Sequence, residues 1–266
     1  MRALPAHADD PTVAMHERRY ALDGEDVEET YEVDPARLVS KASTLRHMTT
    51  RAVVQRGPKG KKSVAFALDW PGWSRGAKTP ELALEVLASY RERYRPIAAS
   101  AGLDLDDGPL EVVEDAAGTP STDFWGISFA PCGFETEPLA EDDLERALSL
   151  LRACWTYFDE VAARVSPELQ KGPRGGGRDR DGVIGHTLRV ETSDFARRVG
   201  VEATEEEVLV LAGRQAYRQQ FLDALRAYNA GKGKRMRSGN LPFLVRHTAF
   251  HTMDHAWELA DKDLTP

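Results

Sequence analysis

The chain has 266 residues, of which 41% are hydrophobic and 29% are charged, and its formal net charge is −8. This balance excludes a wholly disordered protein and provides enough apolar side chains for one or two domains. The acidic total disfavours a protein that coats nucleic acid, and no apolar run reaches the length of a membrane span. Because no secretory signal opens the sequence and Cys132 and Cys154 cannot form a disulfide framework, we expect a reduced, cytoplasmic protein without a membrane partner.

Charge is distributed unevenly along the chain. Residues 1–45 are acidic and contain few residues of the buried type, which predicts a partly ordered N-terminal extension. A basic segment follows at 46–97 and a strongly acidic one at 98–170. A charge run most often forms a solvated face, although the basic segment leaves room for a narrow nucleic-acid contact. Nucleic acid is therefore not the partner that we expect.

Residues 46–116 have the pattern of a small α+β module with the order ββαβ. Its first two strands are rich in β-forming residues and are joined by the turn Gly57-Pro-Lys-Gly60, which is typical of a hairpin. Thr79 is a candidate N-cap with Pro80 at the first helical position, and an apolar stripe follows it. The predicted elements are strands at 51–56 and 63–68, a turn at 69–74, a helix from 81 to about 95 and a strand at 110–114.

This module carries a family pattern in three places. A strand is followed by Pro71-Gly72, then by Gly76, and a helix opens at Thr79-Pro-Glu-Leu-Ala83. In this order the segment resembles the HicB-like fold. HicB proteins are antitoxins that often carry a separate DNA-binding helix-turn-helix, which the sequence does not show. The resemblance therefore implies the fold of the module and not the antitoxin role.

Residues 117–266 are predicted to form an up-down four-helix bundle after the α+β module. Apolar residues from Leu144 to Val165 recur at spacings of three and four, which is the period of an amphipathic helix. Capping residues and glycine-rich loops bound the later helices, and connections of this length are typical of a bundle. The predicted helices are one of about 24 residues that opens in the acidic segment 138–144 and three at about 180–199, 204–229 and 241–260.

Three of the seven histidines lie close together on the fourth predicted helix. His251 and His255 are four residues apart, so both imidazoles project from one face and can reach one metal ion. His247 and His251 have the same spacing, so the spacing leaves two registers open. Two histidines do not complete a site, and His186 on the second helix is either a third ligand or a hydrogen-bonded core residue. The HExxH motif of zinc proteases is absent.

The segments Val183-Ile-Gly-His186-Thr-Leu-Arg-Val-Glu191 and His251-Thr-Met-Asp-His255 resemble the metal-binding patterns of the DinB/YfiT-like family. The resemblance implies a four-helix bundle in which His186, His251 and His255 bind one divalent ion, zinc first, with nickel or iron as alternatives. It also implies a low-molecular-weight thiol such as mycothiol or bacillithiol as cosubstrate, and association as a homodimer. Ala256 stands where many members have a further histidine, so the surroundings of the ligands depart from the family pattern.

Further charged residues are candidates for substrate contacts. Arg174, Arg178 and Arg180 lie in a glycine-rich loop before a helix N-terminus, where backbone N–H groups and the helix dipole favour a cofactor carboxylate or phosphate. The same loop has the composition of a solvated linker. Glu258 and Asp254 are candidate catalytic bases, and the phase of Glu258 with the histidine pair favours it. Each of these carboxylates is otherwise a surface charge or an ion-pair partner.

Three nitrogen ligands leave a fourth position open for water or substrate, which is the arrangement of a catalytic metal site. We therefore expect a divalent-metal-dependent enzyme that activates a thiol or water, of the thiol-dependent transferase or isomerase type, with a small-molecule substrate. A non-enzymatic alternative is a metal-binding regulatory or stress-response protein whose HicB-like module contacts a partner. A third interpretation is a bundle without metal, in which the histidines only pack.

Overall fold

The described part of the chain divides into two compact units. The computed structural model describes residues 14–20 and 26–32 by their backbone, and residues 49–172, 177–234, 236 and 240–265 with their side chains. The first unit contains an antiparallel pair of strands, β1 (Ala14–Tyr20) and β2 (Asp26–Glu32), which the sequence pattern did not predict. The rest of the predicted extension at 1–45 lies outside the described residues.

A four-stranded sheet opens the second unit, and its strands follow in the order β5-β4-β3-β6. The strands predicted at 51–56, 63–68 and 110–114 are confirmed as β3, β4 and β6. The pair β3–β4 is antiparallel, whereas β3 and β6 run parallel. β5 was not predicted, because four residues after a turn are too few to show an alternating pattern. The strands are β3 (Thr50–Arg56), β4 (Ser63–Ala67), β5 (Ser74–Ala77) and β6 (Leu110–Ala117).

Two short helices replace the single helix predicted from residue 81. α1 (Pro80–Ser89) begins at Thr79, whose hydroxyl accepts the Leu82 N–H, and α2 (Arg91–Ser100) follows it. The break falls at Tyr90, whose ring packs edge-on against Trp257 at 4.9 Å between centroids. A tertiary contact of this kind is invisible to the helical period, which continues through the break.

In the described part of the chain six helices follow, where the sequence predicts four, and they include most of the predicted helical residues. The first and last predicted helices agree with their predicted spans. The second is regular only to Val190, where a π-helical turn and a 3-10 turn follow, and the third is divided at Val210, whose backbone is extended. The helices are α3 (Pro120–Trp125), α4 (Glu141–Arg164), α5 (Arg180–Val190), α6 (Glu205–Leu209), α7 (Leu211–Asn229) and α8 (Leu241–Asp261), with a 3-10 turn at Gly133–Glu135.

The last helix, α8, lies at the centre of the second unit. It packs against α4, α5 and α7, and most of its residues are buried, as expected of a helix that is covered on all sides. One hydrophobic core joins residues of the sheet, of α1 and α2 and of the long helices. The boundary predicted between residues 116 and 117 therefore lies within one compact unit, and the arrangement is mixed α+β. Within the part that the structure describes, no helix has the length and apolar character to cross a membrane.

Candidate metal centre

Two helices carry the three histidines. His186 lies in the middle of α5, which begins where the Asp179 carboxylate accepts the Gly182 N–H at 2.8 Å. His251 and His255 lie in α8, which begins where the Asn240 side chain accepts the Phe243 N–H. Both starts are side-chain N-caps, which fix the residue at which each helix begins. The packing of α5 on α8 then brings the three histidines together.

The three imidazoles form one cluster. Their candidate ligand atoms all lie within 4.8 Å of one another. The ring centroids are 5.4 Å apart for His186 and His251, 4.9 Å for His186 and His255, and 4.6 Å for His251 and His255. Zinc–imidazole bonds of about 2.1 Å place the nitrogens about 3.4 Å apart, so small side-chain rotations close the set on an ion. The residues therefore fit a divalent metal with three nitrogen ligands.

The surroundings keep His186 and His251 neutral, which is the form that binds metal. Burial, together with the neighbouring His255, lowers the pKa of His186 to about 4. Burial and the other two imidazoles hold the pKa of His251 far below its usual value. Close imidazoles repel one another when they are protonated, and an apolar setting disfavours each charge. His186 and His251 are thus unprotonated at neutral pH and available to bind a metal ion.

Glu258 lies beside the cluster and contacts one ligand directly. Its Oε2 accepts a hydrogen bond from Nδ1 of His255 at 2.8 Å, and its Oε1 accepts one from Lys262. The bond to His255 lowers the pKa of Glu258 well below its usual value. A carboxylate on Nδ1 leaves Nε2 of His255 free for a metal and fixes the plane of the ring. The phase argument that selected Glu258 from the sequence therefore leads to a carboxylate in contact with the site.

Replacing Glu258 by glutamine is expected to lower the affinity for Zn²⁺ about tenfold, because removing an outer partner of a metal-bound histidine typically costs 10–100-fold. The amide still reaches His255 but carries no charge to strengthen the ligand. Competition with a chromophoric chelator measures the change. Glu160→Gln, which changes an exposed carboxylate of α4, is the matched control. Equal affinities of the two variants would remove Glu258 from the site.

Asp254, the second predicted base, has a partner outside the cluster. Its Oδ1 accepts a hydrogen bond from Nη1 of Arg75 on β5 at 2.9 Å. The Arg75 guanidinium lies 3.9 Å from the centre of the Tyr90 ring and 4.1 Å from that of Trp257. This contact joins α8 to the sheet, which is the ion-pair alternative that the sequence left open. The role of Asp254 as a base stays a prediction.

Two of the three predicted loop arginines lie within the described residues. Arg174 lies outside the described residues. Arg180 is in an ion pair with Asp181 at 2.8 Å, next to it in the first turn of α5. Arg178 is exposed. Burial and the other imidazoles lower the pKa of His186 and of His251 most, and the positive charge of Arg178 lowers both further. Arg178 therefore lies within electrostatic reach of the histidines, and binding of an anionic cofactor by the loop stays a prediction.

His247, the alternative partner of His251, is not part of the cluster. Its Nδ1 lies 2.9 Å from the carbonyl oxygen of Ser128, so this nitrogen carries the proton and donates it. The ring is buried, and its aromatic contacts are Phe129, Phe195, Phe243 and Phe250. The structure thus selects the register His251/His255, and His247 is a hydrogen-bonded core residue.

Replacing His247 by asparagine is expected to make the metal-free protein less sensitive to acid. Burial and the Arg246 charge lower the pKa of His247 to about 3. Since an unfolded histidine titrates near 6.5, the stability from this group is complete above that pH and decreases by about 2 kcal/mol between pH 7 and pH 5. Asparagine keeps a donor for the Ser128 carbonyl but does not titrate. Urea unfolding of chelator-treated protein at both pH values measures the difference, and identical pH dependences would contradict it.

Phe195 and Arg75 contact the site or its helix and were not assigned roles from the sequence. Phe195 lies edge-on against His251 at 5.6 Å between centroids. It stands nine residues after His186, a spacing that puts two residues on opposite faces of a regular helix. Arg75 lies far from Asp254 in the chain, and no local pattern joins them. The aromatic side chain itself was the one signal for Phe195.

Comparison with known proteins gives the chain no relatives. No family model matches it, and neither a curated protein nor a solved structure matches it significantly. The resemblances to the HicB-like and DinB/YfiT-like families therefore stay predictions.

Proposed function

We propose that this protein is a divalent-metal-dependent enzyme in which His186, His251 and His255 bind the ion. The observation that carries the proposal is the cluster of three imidazoles, brought from two helices to within 4.8 Å of one another. Clusters that only pack do not need a carboxylate behind a ring, whereas Glu258 is hydrogen-bonded to Nδ1 of His255. Three protein ligands also leave a position for water or substrate, as catalytic sites do.

The chemistry at such a site is the activation of a nucleophile. A bound divalent ion lowers the pKa of a coordinated thiol or water, so that the anion exists near neutral pH. His186 and His251, which are neutral, add no charge to the ligand set. Glu258 orients His255, and its short contacts to His255 and Lys262 make it a positioning residue in this proposal. The exposed cation Arg178 is placed to attract an anionic group toward the histidines.

The finer assignments belong to the same proposal. Zinc is the first expected metal, since imidazole suits it, with nickel or iron as alternatives. A low-molecular-weight thiol such as mycothiol or bacillithiol is the expected cosubstrate, in a transferase or isomerase reaction on a small molecule. The helices from α4 onward are expected to form an up-down four-helix bundle, and the sheet with α1 is expected to form a HicB-like module. A homodimer in the cytoplasm is the expected state, and both described cysteines are free thiols.

The test of the proposal is a thiol-transfer assay. Zinc-loaded wild-type protein is mixed with mycothiol or bacillithiol and a panel of electrophilic acceptors, and the loss of free thiol is followed. We expect metal-dependent consumption that is absent in His251→Ala and unchanged in Glu160→Gln. Consumption at the same rate in His251→Ala would contradict the role of the metal site, and no consumption in the fully loaded wild-type protein would contradict a thiol transferase.

A further inference from the structure

The π-helical turn after α5 changes which side chains face the metal centre. It spans Glu191–Phe195, and the Ala196 N–H bonds to the Glu191 carbonyl five residues back. In a regular α-helix His186 and Phe195 lie nine positions apart, which at about 100° per residue separates them by about 180°. The extra residue of a π turn reduces this to about 80°. The turn is therefore what lets both side chains contact His251, as they do.

A buried ion pair holds this turn. Glu191, the first residue of the turn, is 0% exposed, and its Oε1 accepts a hydrogen bond from Nε of Arg218 on α7 at 3.1 Å. Arg218 is also buried and donates from Nη1 to Asp159 of α4 at 3.0 Å. A carboxylate in such a place is strongly destabilising without its cation. The pair therefore keeps Glu191 inside the protein, and with it the backbone of the turn.

Phe195, the last residue of the turn, packs against His251. It is buried and lies edge-on between two rings, at 5.6 Å from His251 and 5.3 Å from His247. His255 is oriented by a carboxylate, whereas among the described residues His251 has aromatic contacts and no hydrogen-bond partner. Packing against the neighbouring rings, Phe195 among them, therefore sets the plane of the His251 ring.

We propose that the Glu191–Arg218 pair is a positioning device of the metal centre: it fixes the π turn, which presses Phe195 against His251 and sets that ligand for the ion. This inference rests on the proposed metal site. It adds residues that do not touch the ion, and it assigns a purpose to a buried carboxylate and to an irregular turn that the helical pattern does not predict. π turns occur often at functional sites, where the changed register serves the site.

The test compares Glu191→Gln with Glu145→Gln. Glu145 also pairs with an arginine of α7 from α4, but this pair is partly exposed and does not touch the π turn. In the full chain, Co²⁺ titration gives the affinity and the visible absorption bands of the bound ion. We expect Glu191→Gln to bind Co²⁺ about 10–100-fold more weakly and with shifted bands, and Glu145→Gln to match the wild type. Wild-type affinity and bands in Glu191→Gln would overturn the inference.

A second measurement needs no metal. Ring currents of Phe195 shift the NMR signals of the His251 ring protons in chelator-treated protein, and we expect Glu191→Gln to move these signals while Glu145→Gln leaves them in place. Unmoved signals in Glu191→Gln would overturn the inference even if the wild type bound no Co²⁺, which would itself contradict only the proposed function. If Glu191→Gln does not fold, Phe195→Leu replaces it in the Co²⁺ titration, with the same expected loss and the same contradicting result.

Discussion

Replacing Arg246 by methionine is expected to lower the free energy of unfolding by about 3–5 kcal/mol, because it leaves a buried carboxylate without its cation. Arg246 of α8 is 4% exposed and Glu135 is 3% exposed. The guanidinium donates two hydrogen bonds to this carboxylate, at 2.5 and 2.9 Å, and lies 3.9 Å from the centre of the Phe66 ring. Arg246 therefore joins the central helix to the 3-10 turn Gly133–Glu135 by charge and to the sheet by packing.

Urea unfolding measures this effect, and Arg226→Met is its matched control. Arg226 also pairs with a glutamate of another element, but both side chains are partly exposed, so the expected loss is at most about 1 kcal/mol. A methionine fills much of the volume of arginine, which leaves the loss of the ion pair as the main change. Similar losses in the two variants would show that burial does not distinguish the two pairs.

Replacing His251 by alanine is expected to abolish stabilisation of the protein by zinc. A ligand that binds only the folded state adds about 2.7 kcal/mol to stability when its free concentration is 100 times its Kd. His251 contacts both other rings of the cluster, so its loss leaves two ligands and an open side. Unfolding is measured with buffered Zn²⁺ and with chelator, and we expect a difference in the wild type and none in His251→Ala.

His247→Asn is the control for this prediction. It changes another buried histidine of the same helix that bonds to a backbone carbonyl and lies outside the cluster. We expect it to keep the zinc-dependent gain in stability. Loss of the gain in His247→Asn as well as in His251→Ala would favour the register His247/His251, and a gain that persists in His251→Ala would contradict the prediction.

Local sequence patterns predicted the elements whose burial follows one period. α4 has a long apolar stripe, and β3 and β4 are rich in β-forming residues, so the helical period and the local composition identify them. Where a tertiary contact determines the backbone conformation, the sequence pattern did not predict that conformation. The π turn depends on a buried pair between Glu191 and Arg218, which lie 27 residues apart in the chain.

In the candidate site, too, contacts within one helix were predictable from the sequence, whereas contacts between elements were not. The spacing of His251, His255 and Glu258 within one helix predicts their contact, since residues three and four apart are neighbours. His186 comes from another helix, and the residues alone left it open between a ligand and a core histidine until the packing of α5 on α8 was known. The register of the pair was decided by Ser128, whose carbonyl occupies Nδ1 of His247. No local spacing contains that information.

The metal content of the purified protein is the decisive test of the histidine site. Protein purified without chelator is analysed for its elements, as the wild type and as His251→Ala. We expect about one divalent ion per chain in the wild type and almost none in the variant, and we expect circular dichroism to show that both proteins are folded. A wild-type protein that contains no divalent ion, even after reconstitution with zinc, nickel or iron, would contradict the claim that these histidines form a metal site.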